Sequence, residues 1–169
     1  RRLGLTATLV REDGMEGEVF SLIGPKRFDV PWKEIESQGY IAPAECIEVR
    51  VNLSESERLL YATAEPEEKY RYCSTTHTKS EVVQELVSYH ANEQILVIGQ
   101  YITQLDALSE TLGVPLIKGD TPVKERERLF AAFRTGEITC LVVSKVANFS
   151  IDLPDATIAI QVSGAFGSR

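Results

Sequence analysis

Ile95-Leu96-Val97-Ile98-Gly99-Gln100-Tyr101 is the stretch that decides the fold. Its four consecutive apolar residues leave no polar face for solvent, the pattern of a strand covered on both sides in a parallel sheet. Directly after it the apolar period lengthens. Ile102, Leu105, Leu108 and Leu112 share one face of a helix, and Gly113 supplies its C-terminal cap. Leu116-Ile117 reads as a short second strand. Thr121 is the expected N-cap of the next helix, with Pro122 at its first helical position. Leu129, Phe130 and Phe133 bury that helix, and Gly136 stops it. Cys140-Leu141-Val142-Val143 and Thr157-Ile158-Ala159-Ile160 are two further strands. This alternation with short links predicts an α/β fold, an open and mostly parallel sheet with helices on both faces.

Upstream of Ile95 the pattern is less regular. Glu18 to Ile23 reads as a short helix, and Pro31 to Ser37 as another that begins on a proline. Glu45 to Leu53 alternates apolar and charged residues, which predicts a strand. Ser54 followed by Glu57 is a capping box that opens a helix running to about Ala64. Pro66 to Tyr72 reads as a polar, aromatic-flecked bridge, and a helix from Ser80 to His90 leads into Ile95. The block from Ser54 to Tyr89 is expected to be an insertion on the sheet.

The composition agrees with a globular domain. The 169 residues are 43% hydrophobic and 25% charged, which excludes a disordered chain, a collagen-like fibre and a disulfide miniprotein. No run approaches the roughly 18 to 20 apolar residues of a membrane span. Cys46, Cys73 and Cys140 are odd in number and form no CxxC pair, which speaks against a zinc ribbon or disulfide framework and fits a reducing cytosol. Arg1 is not an initiator methionine, so the opening reads as the middle of a longer chain. The net charge of −7 repels nucleic acid in bulk, so any contact with DNA requires a local patch. Lys118, Lys124, Arg126, Arg128, Arg134 and Lys145 supply one, against Asp120, Glu125, Glu127 and Glu137 in the same stretch.

The sequence carries no GxxxxGK[ST] phosphate loop, no GxSxG elbow and no HExxH pair. His77 and His90 stand alone and read as ordinary polar histidines. Ligands of α/β sheets bind at the carboxyl ends of the strands, and three segments there carry polar residues. Gly99-Gln100-Tyr101 follows the first strand. Gly119-Asp120-Thr121 follows the second, ahead of a helix N-terminus whose backbone N–H groups suit a phosphate. Ser144-Lys145-Val146-Ala147-Asn148 follows the third, where Lys145 suits a phosphate partner. By their types alone, these residues fit a ligand site or plain solvated loops equally well.

Longer motifs add a resemblance. Leu5-Thr6-Ala7-Thr8 resembles the S/TAT motif that ends the first RecA-like domain of superfamily-two helicases. The run from Val143 through Asn148-Phe149-Ser150-Ile151-Asp152-Leu153-Pro154 resembles their fifth motif, and Ile160 to Gly164 with Gly167-Ser168-Arg169 resembles the approach to their sixth. Leu5 to Asp13 together with Leu22-Ile23-Gly24-Pro25-Lys26 is similar to the XPB (xeroderma pigmentosum group B) family of DNA helicases in its bacterial or archaeal form. The resemblance spans the chain.

It implies a RecA-like sheet of P-loop NTPase type and an ATP-driven motor on DNA, acting in nucleotide excision repair and, in eukaryotic relatives, in promoter opening. On this resemblance residues 1–42 are a remnant and connector of the first RecA-like domain. Residues 43–169 are the second, with a thumb-like insertion at about 54–90. Thr6, Ala7 and Thr8 would couple nucleotide state to DNA binding. Arg11, Glu12 and Asp13 match a RED motif associated with strand separation. Gln100, Thr121, Ser144 and Lys145 would meet DNA, and Asp152 the ATP side of the cleft. ATP and Mg2+ are the implied cofactors, DNA the implied partner together with a nuclease or a repair or transcription factor, and the cytoplasm of a prokaryote the implied location. The phosphate-loop lysine and DEAH-type carboxylates are expected upstream of Arg1, and the arginine finger of the sixth motif past Arg169. The chain by itself is therefore expected to be inactive, with no catalytic residue and no metal site of its own. The alternatives are a non-catalytic α/β interaction module and a related superfamily-two translocase.

Overall fold

The computed structural model describes residues 2–5, 14–145 and 155–164. These fall into two compact units that divide between Val49 and Arg50.

Among the described residues the first unit holds two short helices, α1 (Glu16–Ile23) and α2 (Trp32–Ser37). Gly24 ends α1 at φ 106°, a conformation in which a Cβ is strained, and its N–H returns to the Phe20 carbonyl. The Arg2 guanidinium donates to the Leu22 carbonyl at 2.9 Å. Pro31 fixes the extended backbone that leads into α2, which buries none of its residues.

The strand expected at Glu45 to Leu53 does not form. This stretch has no regular structure, and Ile47 and Val49 stay exposed. Alternation prepares one face for burial, but a strand also needs an edge to pair with, and among the described residues this stretch joins no ladder.

The second unit opens with three helices: α3 (Glu55–Thr63), α4 (Pro66–Ser74) and α5 (His77–Tyr89). The capping box of α3 is formed as expected, with the Ser54 hydroxyl accepting from the Glu57 N–H and the Glu57 carboxylate accepting from the Ser54 N–H. The predicted bridge at Pro66 to Tyr72 is instead helical. Pro66 occupies the first turn, where its missing N–H costs nothing, Glu67 and Glu68 face the positive N-terminal end, and Arg71 stands in the last turn. Low apolar content concealed a helix whose proline and charge signals stand at its ends.

Then follow β1 (Ile95–Gly99), α6 (Ile102–Leu112), β2 (Leu116–Ile117), α7 (Val123–Arg134), β3 (Cys140–Ser144) and β4 (Ile158–Gln161). The four strands are parallel, in the order β2-β3-β1-β4. Because strand side chains alternate, the two central strands split their apolar residues between two layers. Ile95, Val97, Cys140 and Val142 pack with Val83 of α5 and with Leu105 and Leu108 of α6. Leu96, Leu141 and Val143 pack with Leu129 and Phe133 of α7. The helices therefore cover both faces, as the unbroken apolar runs require. Phe133 is fully buried, and its truncation to alanine would cost about 3–5 kcal/mol.

Two helix ends illustrate how far local signals reach. Gly113 caps α6 in the left-handed conformation at φ 66°. Thr121 does not cap α7: Pro122 holds the N-cap position, and the Thr121 hydroxyl accepts from the Lys118 N–H at 2.9 Å. An extended Pro122 displaces the helix start by one residue, so the threonine hydroxyl closes the preceding turn instead.

Candidate functional site

Parallel pairing brings four loops to one end of the sheet. Gly99 lies opposite Ser144 in the β1–β3 ladder, Ile117 opposite Val143, and Ile98 opposite Gln161. The segments starting at Lys118, Lys145, Gln100 and Val162 consequently leave the sheet side by side in that order. Three of them are the segments marked by their polar residues in the sequence.

Gln100 is exposed, and its backbone N–H donates to the Ser163 hydroxyl at 2.8 Å. Thr121 is half-buried; besides the contact of its hydroxyl, its carbonyl accepts from the Arg126 guanidinium at 3.3 Å. Ser144 is buried at the end of β3, and its hydroxyl has no hydrogen-bond partner among the described residues. Lys145 is half-buried directly after it. Thr6, Ala7, Thr8, Arg11, Glu12, Asp13 and Asp152 lie outside the described residues.

The basic stretch is partly neutralised. Lys118 Nζ lies 3.1 Å from Asp106 Oδ1, and Arg128 forms a two-pronged pair with Glu125 at 2.8 and 2.7 Å. That pair draws the Glu125 carboxyl below its ordinary range, chiefly through the hydrogen bonds.

The same strand ends hold a buried polar network that the sequence reading did not mark. Gln104, in the first turn of α6, donates from Nε2 to the Ser74 carbonyl at 2.8 Å. Its Oε1 accepts from the Ser163 hydroxyl at 3.2 Å. The orientation of the amide follows from chemistry: a carbonyl only accepts, so the NH2 must face Ser74, and the oxygen then faces a hydroxyl that must donate. The Ser163 oxygen is left to accept from Gln100, and the chain is closed. Ser74, Gln104 and Ser163 are all buried.

Two flanking contacts run the same way. Lys79 of α5 donates to the Val162 carbonyl at 3.3 Å, and burial pushes its ammonium below the ordinary lysine value. The Tyr70 hydroxyl of α4 bonds the Gly164 carbonyl, with its ring tilted against Tyr101 at 6.5 Å. The one signal available in the sequence was a glutamine four residues before Leu108, on the buried face of α6.

The sequence from residue 35 to residue 169 matches the family described as ERCC3/RAD25/XPB C-terminal helicase. The chain belongs to that family. Among its relatives, the DNA 3'-5' helicase XPB of Kineococcus radiotolerans is 73% identical over the whole chain, which covers 30% of that protein. The DNA 3'-5' helicase XPB of Mycobacterium tuberculosis is 68% identical over the whole chain, 31% of its length. The general transcription and DNA repair factor IIH helicase/translocase subunit XPB/SSL2 of Saccharomyces cerevisiae is 36% identical over 99% of the chain and 20% of its own length. The chain thus spans under a third of the length of these curated relatives.

Among solved structures, the Sulfolobus solfataricus SWI2/SNF2 ATPase C-terminal domain superposes with a TM-score of 0.53 at 14% identity, over 65% of this chain and 68% of that one. At that identity the likeness concerns fold alone, and the fold is the RecA-like α/β sheet expected. Membership of the XPB helicase family decides against an α/β module that merely borrows the sheet.

Among the described residues there is no group of three or more His, Cys, Asp or Glu side chains suited to a metal ion, and Asp152 lies outside them. Among the described residues no helix is long and apolar enough to cross a membrane.

Proposed function

We propose that this chain is the second motor domain of an ATP-dependent DNA helicase or translocase of XPB type, working in nucleotide excision repair. The observation that carries the reading is the family match over residues 35–169, together with 73% identity across the whole chain to a DNA 3'-5' helicase. The geometry suits it: four strand-end loops meet at the carboxyl edge of a RecA-like sheet, where α/β proteins bind ligands.

In this reading Gln100, Thr121, Ser144 and Lys145 belong to the strand ends that bind DNA. Thr6, Ala7 and Thr8 couple nucleotide state to DNA, Arg11, Glu12 and Asp13 act at strand separation, and Asp152 meets ATP. Residues 1–42 belong to the first motor domain and its connector, and the helices between about 54 and 90 form a thumb-like insertion on the second. ATP with Mg2+ would supply the phosphoryl-transfer energy, held by residues of the whole protein. Movement runs 3'-5', the direction in the relatives' names. The protein works in a prokaryotic cytoplasm beside the nucleoid, with a nuclease or a repair or transcription factor as partner.

The test uses the full-length protein that carries this sequence. DNA-stimulated phosphate release and ATP-dependent opening of a fork with a 3' single-stranded tail are the expected results. The isolated chain should release none, because it carries no GxxxxGK[ST] phosphate loop to hold the nucleotide. DNA-stimulated hydrolysis by the isolated chain would overturn the assignment of its catalytic groups to the rest of the protein.

A further inference from the structure

The buried network at the strand ends has a shape that packing does not require. Its members come from three places far apart in sequence: Ser74 at the last turn of α4, Gln104 in the first turn of α6, and Ser163 just past β4. The last turn of any helix leaves carbonyls without intrahelical donors. Here one of them, that of Ser74, is taken up by a side chain of the sheet layer. The alternative for a buried carbonyl is an unpaired acceptor, which is strongly disfavoured. The α4 end is therefore fastened to α6, and through Ser163 to the Gln100 backbone and the segment leaving β4. Lys79 and Tyr70 fasten α5 and α4 to the same segment, at Val162 and Gly164.

We infer that Gln104 is a positioning residue for the motor: with Ser163 it fastens the end of α4 to α6, to the loop carrying Gln100 and to the segment after β4, so that these move as one body. This rests on the proposed function, since only in a motor does the position of the DNA-facing Gln100 loop have a readout in movement. Neither residue touches DNA or nucleotide in this inference. What they transmit is the position of Gln100 and of residues 162–164.

Loss of this buried link leaves α4 and α5 held to the strand ends by the polar contacts of Tyr70 and Lys79 alone, so their positions are less tightly coupled. Hydrolysis then continues while less of it becomes movement along DNA. The quantity to measure is the ratio of fork opening to ATP consumed, in the full-length protein. Both rates scale with the folded fraction, so partial unfolding leaves their ratio unchanged.

Gln104→Met keeps the length and apolar contacts of the side chain but removes both hydrogen bonds. Ser163→Ala removes a single hydroxyl and serves if the first variant fails to fold. Leu129→Ala, on the opposite face of the sheet, is the control for stability loss alone. The expected result is a ratio reduced about fivefold in Gln104→Met and in Ser163→Ala, no further reduction in the double variant, and an unchanged ratio in Leu129→Ala. Variants that keep the wild-type ratio while the wild type opens forks would overturn the inference alone. A wild type that opens no fork with ATP would overturn the functional reading, and the inference with it.

Discussion

The Thr76 hydroxyl donates to Glu57 Oε1 at 2.6 Å, so the carboxylate that completes the α3 capping box also receives the residue preceding α5. Its second oxygen takes the Ser54 N–H at 2.9 Å and the Ser54 hydroxyl at 2.7 Å. A carboxylate accepting this many hydrogen bonds favours its charged form, and the Thr76 and Ser54 contacts lower the Glu57 pKa to about 2 from an ordinary 4.5.

A pH dependence follows with a defined sign. The folded value lies below the unfolded one, so the stabilisation is fully present above about pH 4.5 and fades as the pH falls towards about 2. Glu57 is only half-buried, so solvent screening limits the contribution to about 1 kcal/mol, the usual worth of a cap. Urea unfolding of wild type and Glu57→Gln should differ by that amount at pH 7 and converge near pH 2. A difference constant across this range would show that the charge contributes nothing.

A second prediction concerns close packing at the end of β1. A methyl group on Gly99 would lie 2.8 Å from Leu105 Cδ2, 2.9 Å from Val162 Cγ2 and 3.1 Å from the Ser163 oxygen. The φ of Gly99 is not in the left-handed region, so the requirement is for space rather than for backbone freedom. Gly99→Ala should cost about 2 kcal/mol, read as a loss of about 4–8 °C in melting temperature. It should also disturb the Ser163 contact to Gln100. An unchanged melting temperature would mean that β4 yields freely to the methyl group.

The contrast between Leu96 and Gln104 explains what was legible in the sequence. Leu96 sits in an apolar run whose meaning is local, and the strands, the two-sided cover and the α6 cap could be read from such runs. Glu45 to Leu53 failed because alternation states that a strand is prepared but not that an edge exists to receive it. Pro66 to Ser74 failed for the opposite reason: its helix signals lie at its ends, while its composition is polar. The strand-end segments around Gln100, Thr121 and Ser144 were recognisable from parallel topology, which fixes the end of the sheet where loops gather. Gln104 was not, because its partners lie 30 and 59 residues away and a single buried glutamine carries no pattern.

The cysteines give a chemical check on the two-layer core. Cys140 is buried in the α5–α6 layer, and desolvation pushes its thiol up to about 11. Cys46 is exposed. At pH 8 only about one Cys140 in a thousand is thiolate, the reactive form. A disulfide reagent should therefore modify Cys46 at once and Cys140 only after denaturant is added. Rapid labelling of Cys140 in the folded chain would place β3 at the surface and contradict the sheet order.

Lys145 allows the proposed DNA interface to be tested by salt rather than by affinity alone. It follows β3 directly, beside the Gln100 loop. A lysine that neutralises one phosphate releases counterions, so its removal should lower the magnitude of the log-affinity against log-salt slope by about 0.9 on duplex DNA or about 0.7 on a single strand. Lys145→Ala in the full-length protein should show that change at every DNA sequence tried, since a phosphate contact carries no base information. Lys118→Ala should leave the slope within about 0.3 of wild type, because its ammonium is engaged by Asp106 and neutralises no phosphate. A Lys145→Ala slope equal to that of wild type, measured by fluorescence anisotropy between 50 and 200 mM salt as in such titrations, would remove this lysine from the interface.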